Sequence, residues 1–288
     1  MSYRWWSSCK TNRGRVRQVN EDAFLDLGDC GLWIVADGMG GHARGDVASR
    51  LIIEAFSGLE RPASIMEFSA DVRERLKLAH HRVKQESSQA GSQQIIGSTV
   101  VVLLVFKRQW LCLWAGDSRA YLLRDGVLQR ITKDHSVAQE LVDMGKLGIE
   151  EVEGHPYANH ITRAVGANHE LVLDERSSEL RDGDAILLCS DGLNKELSES
   201  EISAILGNYD CNDATRELID LSLEHGGRDN VTVALVRFEE ITGFSEPASD
   251  DTAVNYQILQ NNLGAADGRI CMQKGRLFSL DLLTWCCP

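Results

Sequence analysis

Five places in this sequence set a carboxylate at the end of an apolar, β-branched run. Residues 32–36 run into Asp37-Gly38, and residues 186–190 run into Asp191-Gly192. Residues 113–116 lead to Asp117, Glu21-Asp22 stands just before residues 23–25, and Asp229-Asn230 just before residues 231–236. Any one Asp-Gly after a strand reads as a turn, because Asp bonds its own backbone and Gly tolerates positive φ. Five together read differently. Carboxylates gathered at strand ends repel one another, and burying an unpaired charge is costly. Such a cluster persists when divalent cations neutralise it. Oxygen-only donors favour Mg²⁺ or Mn²⁺ over zinc, which takes His and Cys. At Gly38 the missing side chain also leaves room for a backbone carbonyl to join the coordination shell.

The elements that must position these groups follow from periodicity. Residues 3–9, 23–27 and 31–36 read as strands, and residues 41–59 as helical. A second helix carries Ile65, Phe68, Val72, Leu76, Ala79 and Val83 at steps of three and four, one core-facing stripe about seven turns long. Residues 99–106 form a nearly unbroken apolar run, a strand covered on both faces. Further strands are predicted over 109–115, 119–123 and 127–131, with Arg124-Asp125-Gly126 as a hairpin turn. A helix is predicted over 134–144, and strands over 170–180 and 185–189, joined by Arg181-Asp182-Gly183. Ser198-x-x-Glu201 is a capping box opening a helix to residue 206. Another helix over 213–223 and a strand over 231–238 complete the set. Residues 145–167 have little periodicity and read as a functional loop or flap. Hairpin-linked strands interrupted by helix pairs predict antiparallel sheets with helices packed outside.

The 288 residues, 43% hydrophobic, can build one large domain without staples. No run approaches the roughly 20 apolar residues of a membrane span, and the N-terminus lacks a signal-peptide layout. The eight cysteines have no CxxC spacing and read as reduced thiols of a reducing compartment. A formal charge of −13 without a basic run argues against nucleic acid or an acidic membrane as partner. The expected protein is cytoplasmic and monomeric. Periodicity fades toward the C-terminus, so the catalytic domain is placed at residues 1–240 and a poorly ordered extension at 241–288. The terminal Cys286-Cys287-Pro288 fits no prenylation box.

Arg17-Gln18-Val19-Asn20-Glu21-Asp22, Asp37-Gly38-Met39-Gly40-Gly41-His42, Gly116-Asp117-Ser118-Arg119, Ser190-Asp191-Gly192 and Arg228-Asp229-Asn230-Val231-Thr232 resemble, in order and spacing, the successive motifs of the metal-dependent (type 2C, or PPM) protein serine/threonine phosphatases, in bacterial style. The resemblance covers residues 3 to about 238. It implies an α+β fold, a four-layer α/β/β/α sandwich of two antiparallel sheets flanked by helix pairs. It implies two Mn²⁺ or Mg²⁺ ions: Asp37 would bridge them, the Gly38 carbonyl would hold one, and Asp191 and Asp229 the other. Glu21 and Asp22 would hold coordinated waters, and Asp117 with Asp191 a weaker third ion. Arg17 matches the phosphate-binding arginine. The expected reaction is direct attack of a hydroxide bridging the two ions on phosphoserine or phosphothreonine of proteins phosphorylated by a cognate kinase. Animal members usually carry His directly after Asp-Gly as the acid; here Met39 stands there, and the acid is left unassigned, with His42 a weak substitute.

Three other readings compete. Residues 38–43 match G-x-G-x-x-A, but Asp37 would repel a pyrophosphate and a second helix follows instead of a parallel strand. An inactive member kept as a binding module is disfavoured because every aspartate of the set is present. A phosphatase of small phosphorylated molecules stays open, since metals and arginine recognise phosphate alone.

Overall fold

In the computed structural model the residues described are 2–40, 44–89, 96–152, 155–157, 160–167 and 169–241. The chain divides into a unit of Met1–Thr242 and a second of Gly243–Pro288, the latter outside the described residues together with the expected extension. In chain order the elements are β1 (Ser2–Asn12), β2 (Asp22–Leu27), β3 (Leu32–Met39), α1 (Gly45–Glu54), α2 (Ile65–Gln89), β4 (Gly97–Ser98), β5 (Val100–Phe106), β6 (Gln109–Ala115), β7 (Arg119–Arg124), β8 (Val127–Arg130), α3 (Val137–Asp143), β9 (Asp174–Glu179), β10 (Ala185–Cys189), α4 (Asp191–Asn194), α5 (Glu199–Asn208), α6 (Cys211–Glu224) and β11 (Val231–Ile241).

The strands form two antiparallel sheets, β1-β11-β10-β7-β8 and β2-β3-β5-β6-β9, with β4 paired to β3. Side chains alternate across a strand, and here both faces are apolar. Ile34, Val102 and Leu113 turn outward onto Ile52 of α1 and Val72 and Leu76 of α2. Their neighbours Trp33, Val35, Val101 and Leu103 turn inward onto Leu122, Ile186, Leu188, Ala234 and Val236 of the facing sheet. Beyond that sheet Leu187, Val233 and Leu235 meet Ile202, Leu206 and Leu218 of α5 and α6. Three apolar interlayers make the four-layer α/β/β/α sandwich that the resemblance implied. The unbroken apolar run of β5 follows from its place between two such interlayers.

Local signals hold where the backbone chemistry is complete. Ser198 and Glu201 close a capping box at α5, and Asp125 (φ 52°) with Gly126 (φ 75°) turns the β7–β8 hairpin. The first helix is shorter than 41–59, covering Gly45–Glu54, and residues 41–43 lie outside the described residues. The helix expected from residue 134 starts at Val137, because Ser136 is its cap and Asp134 is taken by Arg119. The strand expected over 170–180 is confined to Asp174–Glu179. The segment 145–167 is fastened at its far end: Ile161 bridges Ser136 and Val165 bridges Ser98.

Candidate metal centre

Sheet register brings the first two carboxylates together, since Asp22 on β2 is directly opposite Asp37 on β3. Asp37 stays partly open to solvent. Its amide donates to Thr99 Oγ1 at 3.2 Å, and its carbonyl accepts from Ser98 Oγ at 2.9 Å and the Thr99 amide at 2.8 Å. Gly38 and Gly45 are both glycine for one reason. A Cβ at Gly38 would lie 2.1 Å from the Gly45 carbonyl oxygen, and one at Gly45 would lie 2.6 Å from the Gly38 carbonyl. Backbone contact between β3 and α1 therefore explains Gly38 as well as any metal role does. The Glu21 carbonyl accepts from the Gly38 amide at 3.1 Å and Ser49 Oγ at 2.6 Å, and Glu21 Oε1 accepts from the Gly45 amide at 2.8 Å.

The facing sheet supplies the rest. Asp191 opens α4 directly after β10, Asp229 precedes β11, and Asp117 sits in the β6–β7 turn. Asp22 Oδ2 accepts from Ser190 Oγ at 2.8 Å and Thr232 Oγ1 at 2.7 Å, tying β2 to β10 and β11. Asn230 accepts from the Glu21 amide at 2.8 Å and donates to the Val19 carbonyl at 3.0 Å. Thus Asp22, Asp37, Asp117, Asp191 and Asp229 share one end of the sandwich, close enough that their charges raise the carboxyls of Asp22, Asp37, Asp117 and Asp191.

The cluster is under-compensated. Oδ1 of Asp22, of Asp117 and of Asp191 is buried with no hydrogen-bond partner. Burial, reinforced by Asp191 and Asp229 and opposed by the two hydroxyls, pushes the Asp22 carboxyl up to about 7. Burial and Asp191 push Asp117 up to about 8. Asp37 is raised by burial and then by Asp22, Asp191 and Asp117; Asp191 is raised by burial, offset in part by Lys195. Unsatisfied anionic oxygens and raised carboxyls are what a hard divalent cation would relieve. Among the described residues no three His, Cys, Asp or Glu side chains close on one point as a cage would.

Two cations stand at the carboxylates. The Arg17 guanidinium grips Asp229, Nε to Oδ1 at 2.9 Å and Nη2 to Oδ2 at 2.9 Å. Lys195 Nζ is 2.5 Å from Asp191 Oδ2 and 3.2 Å from Asp229 Oδ2. Lys195 was not among the residues singled out from the sequence. Its signal was the i,i+4 spacing from Asp191, readable only once a helix is known to start at Asp191. Met39 ends β3 opposite Gly97, while His42 lies outside the described residues.

Comparison with known proteins agrees with this geometry. Residues 11–235 match the protein phosphatase 2C family. Serine/threonine protein phosphatase PstP of Mycobacterium tuberculosis is 36% identical over 228 residues, which are 79% of this chain and 44% of PstP, so the chain spans under half of that relative. Serine/threonine phosphatase stp of Listeria monocytogenes is 32% identical over 235 residues, 79% of this chain and 93% of stp. Among solved structures, PppA, described as a key regulatory component of T6SS in Pseudomonas aeruginosa, has a TM-score of 0.76 at 43% identity, covering 83% of this chain and 98% of its own. The PstP catalytic domain in complex with two manganese ions has a TM-score of 0.72 at 35% identity over 83% of this chain and 100% of that one. With the match running across all five aspartate sites and both sheets, this chain belongs to the protein phosphatase 2C family.

Proposed function

We propose that the chain is a Mn²⁺- or Mg²⁺-dependent phosphatase of phosphoserine and phosphothreonine in proteins. The observation that carries this reading is the set of buried, partnerless carboxylate oxygens on Asp22, Asp117 and Asp191, gathered beside Asp37 and Asp229. Asp37, the Gly38 carbonyl, Asp191 and Asp229 would hold two ions, with Glu21 and Asp22 toward coordinated waters and Asp117 with Asp191 toward a weaker third. When bound, such ions lower the pKa of a coordinated water and neutralise charge on the phosphoryl group.

The chain's own residues account for binding and orientation. Asp22 is fixed through Oδ2 by Ser190 and Thr232, which leaves its Oδ1 free of partners. Arg17, half exposed at the rim, carries a planar fork suited to two phosphoryl oxygens. Its grip on Asp229 would relax as that carboxylate turns to a metal. Attack by a metal-activated water needs no protein nucleophile, and the described cysteines are free thiols.

A cytoplasmic monomer acting on the substrates of a serine/threonine kinase in the same cell is the setting proposed for it. No described helix is long and apolar enough to cross a membrane. The deciding experiment is hydrolysis of p-nitrophenyl phosphate and a phosphothreonine peptide with Mn²⁺, Mg²⁺ or EDTA. Turnover that needs the metal and favours the peptide supports the reading. Folded protein inert on both substrates with every metal would overturn it in favour of a binding module.

A further inference from the structure

A chain of formal charge −13 concentrates cations beside this site. From Lys10 to Arg17 the sequence holds Lys10, Arg13, Arg15 and Arg17 and no carboxylate. Arg17 is occupied by Asp229. Arg13 and Arg15 are exposed, and among the described residues neither forms an ion pair; Arg13 Nη1 only reaches the Gln18 carbonyl, at 3.3 Å. Among the described residues no carboxylate is paired with their charge.

Their placement is nevertheless fixed. The Arg15 amide donates to the Gly227 carbonyl at 2.7 Å, and Asn230 Nδ2 donates to the Arg13 carbonyl at 2.8 Å and the Val19 carbonyl at 3.0 Å. Gly14, at φ +78°, packs its Cα so close to Asp229 that a Cβ there would lie 2.2 Å from the Asp229 carbonyl oxygen. The loop between β1 and β2 is therefore a ledge bolted to the segment that delivers Asp229. It holds Arg13 and Arg15 a few residues from the arginine at the phosphate position, with Val16 and Val19 exposed between and beyond them at 61% and 40%.

Solubility does not call for these cations, since the chain already carries a large net charge. That same charge repels an acidic phosphoprotein at long range. Fixed arginines within a screening length of about 8 Å can reverse the sign locally. We infer that the 13–19 ledge reads the sequence around the phosphorylated residue, and that the preferred substrate is a phosphorylated segment flanked by Asp, Glu or a second phosphate. Arg13 and Arg15 recognise the flank, and Arg17 stays with the reacting phosphate. This rests on the phosphatase reading.

The test uses three peptides sharing one phosphothreonine, flanked by Glu, by Gln or by Lys, against the full chain and Arg13→Gln/Arg15→Gln with Mn²⁺. The wild-type kcat/KM should favour the Glu over the Gln flank about five- to tenfold at low salt. The preference should fade at 1 M salt, where the screening length is about 3 Å. In the double variant the ratio should fall to within about twofold with p-nitrophenyl phosphate turnover unchanged, which also reports an intact fold. Equal rates on Glu and Gln flanks, a preference for Lys, or a preference surviving in the variant would each overturn the inference. Should p-nitrophenyl phosphate and every peptide resist turnover, the phosphatase reading fails separately. Fluorescence anisotropy of the same peptides would then decide the arginines by the same Glu-to-Gln ratio.

Discussion

Strand β10 has a buried aspartate just outside each end, and the two are treated in opposite ways. Asp184, 1% exposed, accepts from Arg124 Nε at 2.8 Å and Nη2 at 2.6 Å and from the Arg181 amide at 2.8 Å. Asp191, 8% exposed, has Lys195 on one oxygen, nothing on the other, and further carboxylates as neighbours. The first is a finished ion pair that staples β7 to the start of β10. The second is an unfinished site. Burial of a carboxylate therefore does not by itself mark a candidate site in this molecule; burial without compensation is what sets Asp191 apart.

The sharpest way to break the contrast is to neutralise each aspartate in turn. Asp191→Asn should leave the fold intact and cut metal-dependent turnover more than about a hundredfold, with Mn²⁺ binding lost in calorimetry. Asp184→Asn should do the reverse, costing about 3–5 kcal/mol in chemical denaturation by stranding Arg124, with near-normal turnover from the folded fraction. An Asp184 variant that loses activity before stability would end the distinction.

Acidity sharpens it further. Asp22 and Asp117 hold protons more tightly in the fold, at about 7 and about 8, than at the ordinary value of 3.8. Their contribution is thus fully present below the unfolded value and is lost as pH rises through 7 and 8. In EDTA the melting temperature should fall by roughly 5–10 °C between pH 5.5 and 8.5. Mn²⁺ should flatten that slope, since binding displaces the protons. A flat profile in EDTA would mean the cluster is already compensated. Arg17→Ala should raise KM about tenfold and lower kcat less; a fall in kcat at constant KM would place Arg17 in the transition state alone. Smallest, Lys195→Met should tighten Mn²⁺ about threefold in calorimetry by removing a competing cation.

Much of this was legible in the chain because chemistry and topology coincide: an Asp-Gly after a β-branched run is a strand end and a candidate ligand at once. The sandwich was legible for the same reason, since β3, β5 and β10 are apolar on both faces. What escaped is non-local. Lys195 becomes meaningful only through a four-residue helix too short to show periodicity. Asp134 looked like a helix start until Arg119, fifteen residues earlier, claimed its carboxylate. Gly38 looked like room for a ligand, and its tightest constraint is the backbone of Gly45, an element away.

The pairing of β1 with β11, Asn12 opposite Val231 and Ser2 opposite Ile241, has a consequence in time. The first strand described, made early, waits for the last one described. At about 5–20 residues per second the delay is roughly 10–45 s. During that interval β1 lacks its strand partner, β10 is the open edge of its sheet, and Asp229 has not yet been made. The nascent chain carries its arginine ledge unbolted and its carboxylate cluster without Asp229, so the candidate site is completed in the same pairing that adds β1 to the sheet.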